Sequence, residues 1–296
     1  MFSVLPVQLI DNQLFPHYNG KLAVLRMDKI HTIVSGNKWF KLKYYLQEAR
    51  SGNFKTIATF GGAYSNHIVA TAYAAKLAGI KSIGVIRGEK PDLLSHTLQN
   101  ALDYGMHLEF VNREAYSNKS ALKQNLDPNQ DNYWINEGGY GDLGAIGIQD
   151  LFKSAPLWQY THLVTAVGTG TTMAGLIRGA LPYQQVIGVN VLKNQPDIKN
   201  EVSALLSPEQ QTKNYLFLPG YEFGGYAKKT PVLIDFMNHV NSIVNLPLDF
   251  VYTAKTLYAL GEYLKTAELP ADSQLLFMHT GGLQGNLSLP PGTLRY

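Results

Sequence analysis

Short apolar runs alternate with longer segments of helical periodicity from about residue 55 onward. The predicted strands are "KTIATFGG", "KSIGVIRG", "HLEFV", "THLVTAVGTG", "QVIGVNVL" and "QLLFMHTGG". The helical segments between them, such as "SNHIVATAYAAKLAG" and "TTMAGLIRGAL", end near glycine. This order is typical of parallel α/β sheets. We therefore predict an α/β fold of two lobes, each with a mostly parallel, open twisted sheet flanked by helices. Ligands are expected where the strand C-termini of both lobes converge.

Composition narrows the function classes. The 296 residues are 45% apolar, the formal charge is +3, and no run of basic residues occurs, so we expect small-molecule partners rather than nucleic acid or a membrane surface. The absence of cysteine excludes disulfides, thiolate catalysis and cysteine-ligated metals. No signal peptide or segment of about 20 apolar residues is found, which predicts a cytoplasmic protein. The polar stretch "NKSALKQNLDPNQDNYW" is predicted to be a surface excursion.

The segment "VSGNKWFKLKYYLQEAR", residues 34–50, contains three lysines just after a small polar turn. Its apolar positions fall at helical spacing and predict a helix with one buried face. Lys38 and Lys41 lie near the flank of that face, whereas Lys43 points away and is interpreted as solvated. From this stretch alone, three surface lysines are the favoured interpretation, and only residues elsewhere in the chain shift it.

Two predicted strand-to-helix turns could bind anions. In "FGGAYSNH", Ser65 is a natural N-cap, and the following amides could receive a ligand carboxylate, although capping alone would also explain Ser65 and Asn66. In "GTGTTMAG", Gly168 and Gly170 allow close approach, and Thr169, Thr171 and Thr172 offer hydroxyls to a phosphate. Met173 stands at the third glycine of a dinucleotide fingerprint and no Walker lysine follows, so a phosphate monoester suits this loop better.

A lysine at a cleft, a phosphate cup and amides for a carboxylate together suggest pyridoxal phosphate holding an amino acid. The chain resembles the D-cysteine desulfhydrase and 1-aminocyclopropane-1-carboxylate (ACC) deaminase family of pyridoxal-phosphate enzymes, which has the tryptophan synthase β-like fold, fold type II. The matching stretches, in order, are "SGNKWFKLKY", "TFGGAYSNH", "GTGTTMAG", "FGGYAK", "DFVYTAK" and "HTGGLQG".

The resemblance assigns roles to individual residues. It implies that Lys38 forms the Schiff base with the cofactor and that Lys41 supports the site, while Phe40 stands where an arginine is expected. It implies that Ser65 and Asn66, with the amide of His67, meet the substrate carboxylate and the O3′ side of the cofactor. The threonine loop, Gly168, Thr169, Gly170, Thr171 and Thr172, would hold the phosphate.

The resemblance also places Tyr226 and Tyr252 near the substrate, where a lowered phenol pKa could assist proton transfer. Thr253 and Thr280 are expected beside the cofactor. In the deaminases the corresponding residues are glutamate and leucine, whereas the D-cysteine enzymes have hydroxyl residues at both positions. A hydroxyl leaves the pyridine nitrogen largely neutral, which suffices for loss of a thiolate but suits ring opening less well. His279 is interpreted as structural.

The leading hypothesis is therefore α,β-elimination from a small β-substituted amino acid, D-cysteine first, giving pyruvate, ammonia and sulfide. ACC deaminase activity is the nearest alternative. An amino-acid-binding protein and a pyridoxal-phosphate carrier without turnover are alternatives from other classes. The resemblance further implies a large cofactor-binding domain of residues 1–47 and 148–296, a smaller inserted domain of residues 48–147, and a homodimer without a metal site.

Overall fold

The computed structural model describes residues 5–10, 12–193, 195–270 and 272–296. The strands in these residues are β1 (Val7–Leu9), β2 (Lys21–Leu25), β3 (Thr56–Gly61), β4 (Lys81–Arg87), β5 (Met106–Val111), β6 (Asn132–Ile135), β7 (His162–Val167), β8 (Gln185–Asn190), β9 (Tyr215–Leu218) and β10 (Gln274–Met278). The α-helices are α1 (Asn37–Ser51), α2 (Asn66–Ala78), α3 (His96–Asp103), α4 (Arg113–Ser117), α5 (Lys119–Leu126), α6 (Asp142–Gln149), α7 (Leu151–Ser154), α8 (Thr171–Gly179), α9 (Ile198–Ser203), α10 (Pro208–Gln211), α11 (Pro231–Val244) and α12 (Thr253–Leu264).

One sheet has six strands in the order β1-β2-β10-β7-β8-β9, and all its pairs except β1–β2 are parallel. Successive residues of β10 point to opposite faces, and both faces are buried: Leu276 packs in one apolar core and Phe277 in the other. Helices α6 to α9 cover the first face, and α11 and α12 cover the second. Burial on two sides explains why these strands are almost continuously apolar in sequence.

The second sheet has four parallel strands in the order β5-β4-β3-β6. Helices α1 and α2 pack on it around Ile57 and Ile135, whereas Phe60 and Val85 pack with Tyr116 of α4 and Leu122 of α5. The predicted α/β class with parallel sheets is confirmed. All six strands predicted from apolar runs are present, and β1, β2, β6 and β9 are additional.

Both sheets reverse their strand order at one place. In the large sheet the chain steps outward from β7 to β8 to β9, and β10 then adds on the other side of β7. In the small sheet it steps from β3 to β4 to β5, and β6 adds on the other side of β3. The connections on either side of such a point leave in opposite directions and open a crevice at the strand carboxyl ends.

The prediction of a surface excursion for "NKSALKQNLDPNQDNYW" is wrong in part, because this stretch contains α5 and most of β6. Asp127 organises the turn between these two elements. Its buried carboxylate accepts hydrogen bonds from the amides of Asp131 and Asn132, at 2.8 and 3.1 Å, and from Nε1 of Trp134 at 2.8 Å. The turn is rich in asparagine and aspartate, residues that are typical of loops, so the sequence pattern did not predict the short strand β6 that follows it.

Helix α1 joins the two halves of the molecule. Phe40, on its first turn, packs in the core beneath the six-stranded sheet, which explains an apolar residue at a position where an arginine was expected. Leu42, Tyr45 and Ala49 pack against the four-stranded sheet. The division at residues 47 and 147 stays a prediction. Within the described part of the chain, no helix combines the length and apolarity needed to cross a membrane.

We expect Asp127→Ala to lower the free energy of unfolding by about 3 kcal/mol, because three donors lose a charged acceptor in a buried turn. Asp131→Ala is the matched control: it removes an exposed carboxylate from the same turn and should change the value by less than about 0.5 kcal/mol. Urea denaturation measures both. Equal values for the two variants would contradict the role of Asp127.

Candidate active site

A cavity of about 380 Å³ lies at the carboxyl ends of both parallel sheets. Most of its walls come from segments that directly follow strands: 62–67 after β3, 137–138 after β6, 168–170 and 172 after β7, 192–193 and 195 after β8, and 280–284 after β10. The start of α1 contributes to the wall as well. The volume is within the range of small-molecule sites. The predicted convergence of strand ends from both lobes is confirmed.

The start of α1 is held by a very close contact between two main-chain segments. Gly36 has φ +66°, and a Cβ placed on it would lie 1.8 Å from the carbonyl oxygen of Thr280. The amide of Asn37 donates to that same oxygen at 3.3 Å. Only glycine permits both this dihedral angle and this approach. Gly36, two residues before Lys38, is therefore fixed against the turn that follows β10.

Lys38 lines the cavity and is linked through hydrogen bonds to α8, the helix that follows the loop 168–170. Its Nζ donates to Oδ1 of Asn37 at 3.0 Å, and Nδ2 of Asn37 donates to Oγ1 of Thr172 at 2.9 Å. Burial lowers the pKa of Lys38 to about 8, although the charge of Asp249 opposes this shift. A large fraction of the amine is consequently neutral slightly above physiological pH.

Two further basic groups lie beside Lys38. Nζ of Lys41 donates to the carbonyl of Gly138 at 3.3 Å. Thr59 donates its hydroxyl proton to the carbonyl of Ile135, so the hydroxyl oxygen must accept from Nε2–H of His67 at 2.8 Å. Nδ1 of His67 is then a bare acceptor, and it has no partner. Burial, reinforced by the charge of Lys38, places the pKa of Lys41 and of His67 well below their ordinary values.

By contrast, Lys43 lies at the surface, with half of its side chain exposed, and pairs with Asp150 at 2.5 Å. The prediction that Lys43 is the solvated lysine of the three is confirmed. The helix that carries all three lysines is also confirmed as α1.

The start of α2 presents unpaired polar groups. Ser65 is the predicted N-cap, and its Oγ accepts from the amide of Ile68 at 3.4 Å. Oδ1 of Asn66 is buried and has no hydrogen-bond partner. Ser65, Asn66 and His67 all line the cavity. The first amides of a helix have no intrahelical acceptor, so this end of α2 can receive a carboxylate.

The loop 168–172 forms a second anion site. Gly170 is the N-cap of α8 at φ +82°, where a Cβ would lie 2.8 Å from Cγ2 of Val202. Gly168, Thr169, Gly170 and Thr172 line the cavity, whereas Thr171 is buried behind the loop with its Oγ1 3.3 Å from that of Thr169. Bare glycine backbone, two hydroxyls and the free amides of α8 fit a phosphate monoester.

Tyr226 and Tyr252 lie on the same wall of the cavity, and Tyr252 is the N-cap of α12. Burial raises the pKa of Tyr226 to about 12 and the pKa of Tyr252 well above its ordinary value. The expectation of a lowered phenol pKa is therefore wrong for Tyr226 and Tyr252 in this structure. Protonated phenols at neutral pH can donate hydrogen bonds but cannot act as bases.

Thr280 lines the cavity, and Thr253 does not. Thr253 is fully buried at the start of α12, where its hydroxyl donates to Oδ1 of Asp249 at 2.7 Å. The carboxylate of Asp249 also accepts the amides of Val251, Tyr252 and Thr253. The hydroxyl of Thr253 is thus already engaged in holding the helix start, and its contact with a cofactor stays a prediction.

Sequence reasoning missed several wall residues. Glu137 and Gly138 follow β6, a strand that was not predicted, and Glu137 pairs with Lys119 at 2.8 Å. Arg87 ends β4, so its position at a strand carboxyl end was a usable signal. Asn37 belongs to the small polar turn and helix start predicted before Lys38, and nothing in the sequence indicated that it bridges Lys38 and Thr172.

Comparison with known proteins gives concordant matches. Residues 9–281 match the family model described as "Pyridoxal-phosphate dependent enzyme". The chain is 32% identical, over 95% of its length and 94% of the relative's, to a Thermotoga maritima protein named "Putative 1-aminocyclopropane-1-carboxylate deaminase". It is 29% identical, over 90% of its length and 74% of the relative's, to the mitochondrial "Bifunctional D-cysteine desulfhydrase/1-aminocyclopropane-1-carboxylate deaminase" of Arabidopsis thaliana. A solved structure titled "Crystal Structure Analysis of the ACC deaminase homologue" superposes with a TM-score of 0.83 and 25% identity, covering 96% of this chain and 91% of the other.

We expect Gly36→Ala to destabilise the protein by roughly 3 kcal/mol or more, because the new methyl group would overlap the carbonyl of Thr280. Gly79 is the matched control, since its φ of +68° is almost the same and nothing lies within 4 Å of its Cβ position. Gly79→Ala carries only the dihedral strain, about 1 kcal/mol. Urea denaturation of both variants separates the two effects, and similar losses would show that the close approach is unimportant.

Proposed function

The chain belongs to the pyridoxal-phosphate-dependent enzyme family, and we propose that it catalyses α,β-elimination from a small β-substituted amino acid, with D-cysteine as the leading substrate. D-cysteine and water would give pyruvate, ammonia and hydrogen sulfide. The observation that carries the proposal is a cavity in which the amine of Lys38, a phosphate cup and a free helix start lie together.

The residues present fit the cofactor. Nζ of Lys38 would hold its aldehyde carbon, and Thr169, Thr172 and the first amides of α8 would hold its phosphate. Gly170 has φ +82° and Cγ2 of Val202 lies 2.8 Å from its Cβ position, so only glycine fits at this point of the loop. When bound, pyridoxal phosphate supplies an electron-withdrawing ring that stabilises negative charge at Cα of an amino acid.

The residues of the cavity would orient the substrate, accept its Cα proton and donate a hydrogen bond to the leaving group. Ser65, the amide of His67 and the unpartnered Oδ1 of Asn66 lie where an amino acid's carboxylate and neighbouring atoms would be oriented. The amine of Lys38, with a pKa of about 8, is the group suited to accept the Cα proton on Nζ. Tyr226 and Tyr252 keep their phenol protons at neutral pH and are suited to donate a hydrogen bond to a departing thiolate.

D-cysteine is preferred over ACC because of the residues at 253 and 280. Thr280 offers a hydroxyl to the cavity, and Thr253 and Asp249 are bound to each other and to the main chain behind it. Neither threonine supplies the carboxylate that would keep a pyridine nitrogen protonated, so elimination of a good leaving group is the less demanding reaction. ACC deaminase activity is the second candidate, favoured by the names of both relatives described above.

We further propose that the protein is a homodimer in the cytoplasm. Each chain would have a large domain of residues 1–47 and 148–296 and a small domain of residues 48–147. The homodimer and the domain division rest on the family resemblance. Light scattering coupled to gel filtration would measure the oligomeric state directly, and a monomer of 32.8 kDa would contradict the dimer.

We expect the purified, cofactor-loaded protein to release pyruvate from D-cysteine and no 2-oxobutanoate from ACC. Lys38→Ala should lose at least about 1,000-fold in kcat, because the cofactor attachment and the proton acceptor are removed together. Lys43→Ala is the matched control on the same helix and should keep wild-type kcat. Release of 2-oxobutanoate from ACC would favour the deaminase, and cofactor without any keto-acid release would favour a non-catalytic carrier.

We expect cofactor-free protein to take up pyridoxal phosphate faster as the pH rises from 7 through about 8. Below this pH the amine of Lys38 is protonated and has no lone pair to offer, and above it the amine is neutral. The visible absorbance of the bound cofactor follows the rate, and borohydride reduction with peptide mapping identifies the lysine. A rate that begins to rise only above pH 10 would contradict the lowered pKa.

A further inference from the structure

Lys255 is among the largest fully buried side chains of the described residues, and its partners are all main-chain carbonyls. Its Nζ donates to the carbonyl oxygens of Val191, Glu222 and Gly225 at 3.1, 2.7 and 2.8 Å. An ammonium has three N–H groups, and all three are used. Burial lowers the pKa of Lys255 to about 8, so the group still carries its charge at neutral pH. The three carbonyl dipoles replace the hydration of this buried charge, and the charges of Asp249 and Glu222 also favour the ammonium form.

The three carbonyls belong to segments that form one wall of the cavity. Val191 precedes Leu192 and Gln195, which line the cavity, and Gly225 precedes Tyr226. Lys255 itself lies in the first turn of α12, three residues after Tyr252. The ammonium of Lys255 therefore connects three parts of the chain: the loop that carries Tyr226, helix α12 with Tyr252 at its start, and the segment after β8.

The loop that carries Tyr226 has no regular secondary structure. Besides Lys255, it is held by two turn hydrogen bonds within the loop and by the packing of Phe223 against Tyr258. Between β9 and α11, residues 219–230 form no helix or strand. Phe223 and Ala227 in this loop have positive φ, at 47° and 54°, a conformation that non-glycine residues adopt at a cost. Such a backbone persists only where its surroundings hold it. Two of the three carbonyls bound by Lys255 lie in this loop.

We propose that Lys255 is a positioning residue of the active site: its ammonium fastens the Tyr226 loop and the segment after β8 to α12, and so fixes where the phenols of Tyr226 and Tyr252 lie. The proposal rests on the proposed function only in assigning these two phenols to the substrate. The fastening itself is a property of the chain and can be measured without substrate.

The geometry provides a chemical test. Removing the side chain beyond Cβ leaves three carbonyl oxygens converging on a space of the size of an ammonium group. Potassium and ammonium ions bind carbonyl oxygens at similar distances, whereas tetramethylammonium is too large and has no N–H. Lys255→Ala should therefore acquire a binding site for potassium, which the wild-type protein lacks because its own side chain fills the position.

The experiment compares melting temperatures of holoenzymes in potassium chloride and in tetramethylammonium chloride at equal concentration. We expect Lys255→Ala to melt below the wild type and to recover specifically in potassium, since an ion bound to the folded state stabilises it. With D-cysteine, kcat/KM should fall at least tenfold, mainly through kcat, and should recover in parallel with the melting temperature. Potassium is preferred to ammonium for kinetics because ammonia is a product of the proposed reaction.

Lys213 offers the matched control. Its Nζ also donates to two main-chain carbonyls, those of Arg178 and Ala180, at 2.9 and 2.8 Å, but at the end of α8 far from the cavity. Lys213→Ala should lower the melting temperature without potassium-specific recovery and without loss of kcat/KM. If Lys255→Ala does not fold, Lys255→Met fills the apolar part of the space, and it should alter the visible circular dichroism of the bound cofactor while Lys213→Met does not.

Wild-type kcat and KM in Lys255→Ala or Lys255→Met would overturn the proposal. An effect of potassium on Lys255→Ala no larger than its effect on Lys213→Ala would do the same. If D-cysteine is not a substrate, the wild type itself shows no turnover, which identifies a failure of the proposed function. The melting temperatures and the circular dichroism then still decide the role of Lys255.

Discussion

The turn that follows β10 is the contact on which the site depends. Strand β10 pairs with β2 on one side and with β7 on the other, so it joins parts of the chain that are far apart in sequence. Directly after it, buried His279 donates Nε2–H to the carbonyl of Pro247 at 2.8 Å and lies 3.3 Å from Asp28. The next three residues meet Gly36 and Asn66 at the starts of α1 and α2. Both helix starts are thus placed against the same turn, which supports the interpretation of His279 as structural.

The electrostatics of the cavity floor follow from this crowding. Lys38, Lys41 and His67 are basic groups held close together with little access to water. Burial favours the neutral form of each, and the charge of Lys38 adds to this effect at Lys41 and His67. Asp249 is the nearby carboxylate that opposes the trend at Lys38, and its oxygens are largely engaged by main-chain amides. Burial therefore lowers the pKa of the Lys38 amine to about 8 without a dedicated base beside it, which brings the neutral form of the amine closer to physiological pH.

The parts of this structure that sequence predicts well are those governed by local patterns. Continuous apolar strands, the helix from residue 37 and the glycine-rich turns at 168–170 and 281–282 all have short-range signals. Strand β6 was missed because its preceding turn is polar for a tertiary reason, the burial of Asp127. The engagement of Thr253 by Asp249 was equally invisible, because a hydroxyl has many possible acceptors and only the fold selects one. The raised phenol pKa values depend on burial, which a motif does not encode.

Helix α1 has a mechanical consequence beyond placing Lys38. Its first turn is packed into the core of the six-stranded sheet, and its later turns are packed into the core of the four-stranded sheet. A rotation of one sheet relative to the other must therefore bend this helix or pivot about it. Lys38 lies on the first turn of this helix, near the pivot, so its amine would move less in such a rotation than Ser65 and Asn66 at the start of α2. A site arranged in this way can open to exchange ligands without losing the alignment of its amine.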